Sequence, residues 1–313
     1  MSLTYDEIIS KADLSLADLT SGGKLADSDS TTFFRKIFEA PTILNEARMV
    51  SMPSETHNIH KLFMDGRMLR SANQGSITSN IVGNEGTRAL SRADRYKPTT
   101  SKISLTAKEV IAEINIPYEF FEDNIEGEGF KNTLLGEMAK RAATDLEEKI
   151  ILGDTASADA YLALGNGILK ETVSRVVNNN GASISPVLFD NMLQSLPAKY
   201  HAYKNSMRFY VSTLREQTLR AALANRPTNF GDASLVSNLP INMYGVNVAG
   251  VNLMPNNNCV LMNPQNLIVG FKRGITMEFD RNIQERVWIV VLTMRIAHRF
   301  EEEDMVVKAI NIA

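Results

Sequence analysis

Cysteine is almost missing: Cys259 stands alone in 313 residues. That excludes an intrachain disulfide framework and suits folding in a reducing compartment. Histidine is scarce as well, at four. His57 and His60 would share a face on a helix, but the pattern around them is extended and sets them on opposite faces, so no metal centre is expected. No apolar run approaches the roughly 18 residues of a spanning helix. The opening MSLTYDEIIS has neither the basic n-region nor the apolar h-region of a leader, so the expectation is a chain that is not exported by a standard signal and not inserted in a bilayer. An excess of one charge sign is missing too: 33 Lys and Arg face 36 Asp and Glu, a net charge of -3. A protein that grips nucleic acid by neutralising phosphates needs a basic surface, so any such contact is expected to be weak and non-specific.

Catalytic signatures are also lacking. Gly165-Asn166-Gly167 and the run from Gly245 to Gly250 complete neither a dinucleotide fingerprint nor a phosphate loop. Carboxylates pair at Glu122 and Asp123 and from Glu301 to Asp304, in hydrated turns without the desolvated setting of general acid/base chemistry. Cys259 reads as a small buried hydrophobe and His298 as a hydrogen-bonded histidine at the end of an apolar strand. No catalytic residue, cofactor site or metal ligand is assigned. A hydrolase or transferase with an unrecognised site stays open as a rival, motivated only by an α/β-like lobe.

What is present centres on residues 129–153. Phe130, Leu134, Leu135, Met138, Ala142, Leu146 and Ile150 step mostly by four and three, a slowly drifting apolar stripe that predicts one long helix lying across a twisted sheet. Glu137, Lys140, Thr144, Glu147 and Glu148 fill the other side. Pro117 closes the strand before it, and Gly153 is placed for a left-handed stop. Upstream, residues 1–30 read as an extended arm, followed by FFRKIFEAP with Phe33, Phe34 and Phe38 in need of a cover. Strand-like runs occupy 48–63 and 101–117. In the second, Ile103, Leu105 and Ala107 alternate out of phase with Val110, Ala112, Ile114 and Ile116, which predicts a bulge or bend. The weakly patterned stretch between the runs suits binding more than packing. From Lys61 to Lys97 it carries seven basic residues against three acidic ones, whereas Glu119, Glu122, Asp123, Glu126 and Glu128 form an acidic stretch. Opposite charges on separated parts of one chain favour contact between copies.

Further on, Ser185-Pro186 predicts a helix start, MRFYVST a strand, and Thr213-Leu214-Arg215-Glu216 a capping box. Short strands with Asn/Gly/Pro turns then follow to about residue 280, reading as one lobe. RVWIVVLTMRIAHRF and MVVKAINI read as a closing hairpin across the turn EEED, set against the long helix.

The order of these elements resembles the major capsid proteins of tailed bacteriophages, the Hong Kong 97-like fold. INIPYEFFEDNIEGEGFKNTLLGEMAKRAATDLEEKIILGD (114–154) resembles that family's strand, acidic turn and spine helix. GNGILK (165–170), PVLFDNMLQSLPAKY and LPINMYGVNV resemble the entry to its axial domain, the next helix and a later strand, with Asn247 where proline is common. The resemblance implies an α+β chain divided into an N-terminal arm (1–51), an extended β-hairpin loop (52–116), a peripheral domain (117–159 and 281–313) with spine helix 129–153, and an axial domain (160–280).

It further implies a subunit that self-assembles, as pentamers and hexamers, into the icosahedral head around a double-stranded DNA genome. An encapsulin-type nanocompartment shell is the alternative. Implied partners are a scaffolding protein, a portal and a decoration or cement protein, with no membrane; assembly is expected in the host bacterial cytoplasm. The family's scaffolding region ahead of the arm has no counterpart in about 30 residues, so a separate scaffolding protein or a trimmed precursor is expected. Inter-subunit contacts are expected at Phe33, Phe34 and Phe38 of the arm, at Arg67, Arg70, Arg88, Arg92, Arg95 and Lys97 of the loop, and at Glu119, Glu122, Asp123, Glu126 and Glu128.

Overall fold

A computed structural model describes residues 42–63, 67–69, 97–118, 129–224, 240–272 and 276–313. It divides the chain into two compact units, Thr56–Leu105 and the combination of Met1–Glu55 with Thr106–Ala313. The smaller unit is a ribbon of two paired strands, β2 (Thr56–Phe63) and β3 (Thr99–Thr106). The Ser104 hydroxyl donates to Asn58 Oδ1 at 2.7 Å across it. Only the last part of β3, at Ile103 and Leu105, is buried.

The larger unit holds two sheets. In the first, β12 (Val287–Phe300) is the central strand, 14 residues of mostly apolar and β-branched sequence. Along one edge run β10 (Leu267–Phe271) and β11 (Thr276–Asn282), both antiparallel to it. Along the other runs β4 (Lys108–Pro117), also antiparallel. Strand β1 (Arg48–Ser51) adds in parallel to β10. The phase change read in the sequence is a break at Ala107, whose N–H donates to Glu55 O at 2.9 Å between β3 and β4.

Helix α2 (Gly129–Leu152) shares one core with this sheet. Met138, Ala139, Ala143, Leu146 and Ile150 meet Val290, Leu292, Met294 and Ile296 of β12, alternate residues that a strand turns to a single face. Short helix α1 (Thr42–Glu46) inserts Ile43 and Leu44 into the same core.

The second sheet runs in the order β5 (Val176–Asn178), β13 (Val307–Ile310), β9 (Cys259–Met262), β6 (Arg208–Ser212), β8 (Val246–Val251), β7 (Ile241–Met243). Its core includes Leu188, Phe189, Met192 and Leu193 of α4 (Pro186–Ser195) and Leu219 and Leu223 of α5 (Thr213–Ala224). Helix α3 (Ile168–Glu171) leads into it. Between β7 and β8, Tyr244 and Gly245 both have positive φ, 52° and 83°, as a two-residue hairpin turn of the primed type requires.

Four sequence expectations are corrected. Gly153 does not adopt a left-handed cap. Glycine is required there by crowding, because a Cβ would lie 2.4 Å from Gly165 O and 2.6 Å from Lys149 O. Glu147 does not face solvent: α1 covers that side of α2, and Glu147 Oε1 accepts the Ile43 N–H at 2.9 Å. The capping-box side chains are engaged elsewhere, Thr213 Oγ1 donating to Asn252 Oδ1 at 2.6 Å and Glu216 pairing with Arg220 at 2.9 Å. Finally, β12 and β13 form no hairpin. Glu303 turns the chain away by accepting the N–H groups of Val173 and Ser174, each at 2.8 Å, and β13 enters the second sheet between β5 and β9. The short strands read as one lobe are likewise split, β7 to β9 in the second sheet and β10 and β11 in the first.

Candidate assembly surfaces

Of the side chains expected between subunits, Arg67 and Lys97 are among the described residues, and both are exposed. Phe33, Phe34, Phe38, Arg70, Arg88, Arg92, Arg95, Glu119, Glu122, Asp123, Glu126 and Glu128 lie outside them.

A surface that sequence reasoning missed is the face of the first sheet turned away from α2. Directly opposed residues of antiparallel strands share a face, so the registers build it row by row. Asn115, Ile289 and Asp280 form one row, Glu113, Val291 and Glu278 the next, and Ile111, Thr293 and Thr276 a third. Ile289, Val291 and Thr293 are half-buried along the middle strand, while Ile111, Glu113, Glu278 and Asp280 are exposed. Neighbouring strands lie about 4.8 Å apart, so Glu113 and Glu278 stand roughly 10 Å apart across Val291. A fourth row is neutralised by Arg295, which donates from Nε and Nη2 to Glu109 Oε2 at 2.9 and 2.7 Å. Among the described residues no ion pair is recorded for Glu113, Glu278 or Asp280. The alternation Glu109, Ile111, Glu113, Asn115 was visible in sequence; that Glu278 and Asp280 flank the same face was not, because it depends on β11 pairing.

At one end of this sheet the β11–β12 turn carries Ile283, 73% exposed. Beside it the Arg281 guanidinium lies 4.8 Å from the Tyr118 ring centroid and 5.9 Å from that of Trp288.

The interior polar groups act as fastenings. Glu46 of α1 accepts from Arg208 Nη1 at Oε1 and from the Tyr210 hydroxyl at Oε2, both on β6 of the second sheet. Burial, reinforced by the bond to Glu46, pushes the Tyr210 phenol far above its ordinary value. Behind the end of α2, burial lowers Lys149 to about 8. His298 is pushed down to about 4, first by dehydration of its ring and next by Lys149, against the bond its Nε2 makes to Asn166 O at 2.8 Å. Glu171 is pushed up to about 7 by burial, opposed by Arg299 at 3.3 Å.

The Cys259 thiol, wholly buried, is pushed up by that burial, which removes the thiolate a nucleophile needs at neutral pH. No three His, Cys, Asp or Glu among the described residues are grouped to hold a metal ion. No helix among the described residues is long and apolar enough to cross a membrane. The arrangement therefore offers surfaces for contact, held by a rigid interior.

No family model matches the chain. It is 36% identical to the prophage capsid protein YqbE of Bacillus subtilis (strain 168), over 98% of each protein. Among solved structures it is similar to the satellite phage P4 procapsid including the size determination protein, with a TM-score of 0.67 and 12% identity over 99% of this chain and 98% of that one. It is similar also to the capsid of an empty GTA particle (TM-score 0.59, 14% identity, 88% and 90% covered). The holo-SrpI encapsulin complex of Synechococcus elongatus PCC 7942 shares the fold as well (0.55, 9%, 85% of each).

Proposed function

The chain belongs to the capsid proteins of phages and prophages, and from that premise we propose that many copies close as pentamers and hexamers into the icosahedral head of a tailed bacteriophage, around its double-stranded DNA. The observation that carries this reading is the 36% identity to a prophage capsid protein along 98% of both chains. The Hong Kong 97-like fold agrees with it, since solved phage capsids match nearly the whole chain. A closed shell needs heterologous contacts whose rotation closes into rings. Such contacts need complementary surfaces on one polypeptide, and this chain carries opposite charges on separate segments.

In this reading residues 1–51 are the arm, 52–116 the extended loop, 117–159 with 281–313 the peripheral part, and 160–280 the axial part at the ring centres. The arm places Phe33, Phe34 and Phe38 against a neighbour. The loop, with Arg67, Arg70, Arg88, Arg92, Arg95 and Lys97, lies along the acidic stretch Glu119, Glu122, Asp123, Glu126 and Glu128 of an adjacent copy. Individual surface ion pairs contribute only about 0 to 1 kcal/mol, so firmness comes from repetition. Scaffolding, portal and decoration or cement proteins complete the head in the host cytoplasm, and contact with packaged DNA is weak and non-specific. The role is structural, not enzymatic.

Expression of the chain, with a scaffolding partner where one is needed, followed by electron microscopy tests this directly. Closed shells are expected, and a chain that stays monomeric at high concentration with any such partner present refutes the reading. An encapsulin-type compartment shares the fold and is distinguished by content: packaged protein in particles purified from the native source, in place of DNA, would favour it.

A further inference from the structure

We propose that the exposed acidic face of the first sheet is the floor on which the basic segment 61–97 of a neighbouring copy docks. The inference rests on the shell reading and names a surface for the loop that the acidic stretch at 119–128 does not include. Three observations on the face carry it. Glu113, Glu278 and Asp280 are exposed and without a recorded ion pair among the described residues, so the face has unneutralised negative charge. The half-buried Ile289 and Val291 run between these carboxylates, and Ile111 stands beside them with 61% exposure, giving a covering strand apolar area to bury. On the fourth row Arg295 is already taken by Glu109, so the complementary cations must come from outside.

Charge selects the occupant. Residues 1–41 hold four Lys and Arg against seven Asp and Glu, residues 119–128 hold only acids, and residues 225–239 hold one of each sign. Segment 61–97, with seven basic residues and three acidic, is the one that complements the face. An extended ribbon is also the right shape, because a strand laid across a sheet can present basic side chains to the flanks and apolar ones to the middle.

The test uses the full chain under conditions where the wild type forms shells. Glu113→Lys, Glu278→Lys and Asp280→Lys together leave the core untouched, so the melting temperature should hold. The concentration needed for shells should rise about tenfold or more, the effect of losing three modest surface pairs. High salt should narrow the difference by screening both states. Adding Arg88→Glu, Arg92→Glu and Arg95→Glu to the same chain should restore shells. A folded triple variant that assembles like the wild type, or a combined variant without rescue, overturns the docking floor and leaves the shell reading standing.

Carbodiimide crosslinking of wild-type shells made from mixed heavy and light copies gives a second readout that does not depend on any variant folding. Amide links from Lys61 or Lys97 of one copy to Glu113, Glu278 or Asp280 of another support the proposal. Links confined to peptide 119–128 overturn it. A wild type that forms no shells with any partner sinks the shell reading, and the docking floor with it.

Discussion

At the scale of single residues, two glycines of one chain serve different needs. Gly153 is hemmed by the backbone of Gly165 and Lys149, whereas Gly181 has φ +74° and nothing within 4 Å of where a Cβ would stand. Gly153→Ala forces one element off another and should cost about 3 kcal/mol or more, the upper range for overpacking. Gly181→Ala meets only the left-handed penalty of roughly 1 to 2 kcal/mol. Denaturant unfolding of both variants measures the order. Two titrating groups near the end of α2 oppose one another. His298 sits at about 4 against 6.5 when unfolded, so its contribution is present above about 6.5 and is lost as pH falls toward 4. Glu171 sits at about 7 against 4.5, so its contribution is present below 4.5 and is lost as pH rises toward 7. Between 4.5 and 6.5 the two slopes cancel in part. Glu171→Gln should therefore make the unassembled subunit more acid-sensitive across that window, and His298→Asn should make stability fall with rising pH. Unfolding free energies measured at several pH values check both signs.

At the scale of elements, the stripe on α2 is the feature the sequence displayed most openly. Its stepping by four and three located the helix within a residue at the C-terminal end, and Met138, Leu146 and Ile150 are buried as read. What the stripe could not display is the last two turns, where Glu147, Lys149 and Ile151 are buried as well as the stripe. Burial there comes from α1 and from the segment around Gly165 to Gly167, and neither leaves a mark on the periodicity of α2. Leu146→Ala should cost about 2 to 5 kcal/mol by the cavity it leaves, against less than about 0.5 for Lys140→Ala on the exposed side. Strand β13 teaches a similar lesson. Val307 and Ala309 alternate as a half-buried strand should, yet alternation does not say which sheet receives them. Because β13 lies between β5 and β9, deleting residues 307–313 removes an interior strand. Hydrogen exchange should then show β5 and β9 unprotected while the core beneath α2 stays protected.

At the scale of the whole molecule, a major capsid protein has to be stable alone and incomplete alone. The interior is fastened across both sheets by Glu46, Arg208 and Tyr210, and it gives no sign of a chemical site among the described residues. The outward features are a sheet face with charge and apolar area together, an isolated two-stranded ribbon, and the exposed Ile283. A two-stranded ribbon is marginal in water by itself. Removal of residues 71–96 should thus leave a folded subunit with near-unchanged melting and no closed shells, as circular dichroism and electron microscopy would report; intact shells from that variant would sink the role given to the loop. The contact residues expected from the sequence were chosen by charge and exposure of single segments. Such reasoning finds a basic loop or an acidic turn, but it cannot find a face composed from three strands.

By itself the sequence determined what each segment buries: the drifting stripe of α2, the alternation of β4 and β12, the break at Ala107, the turn at Tyr244-Gly245 and the charge contrast between segments. These follow from side-chain spacing against the 3.6 and 2.0 residue periods of the backbone, so they are local and legible. Tertiary structure alone decided which strands meet, that β13 leaves β12 for the second sheet, that Lys149 and Glu147 lie inside, and that Glu113, Glu278 and Asp280 share one surface. Those depend on pairing between residues more than a hundred positions apart in several cases, which the period of any single element does not encode.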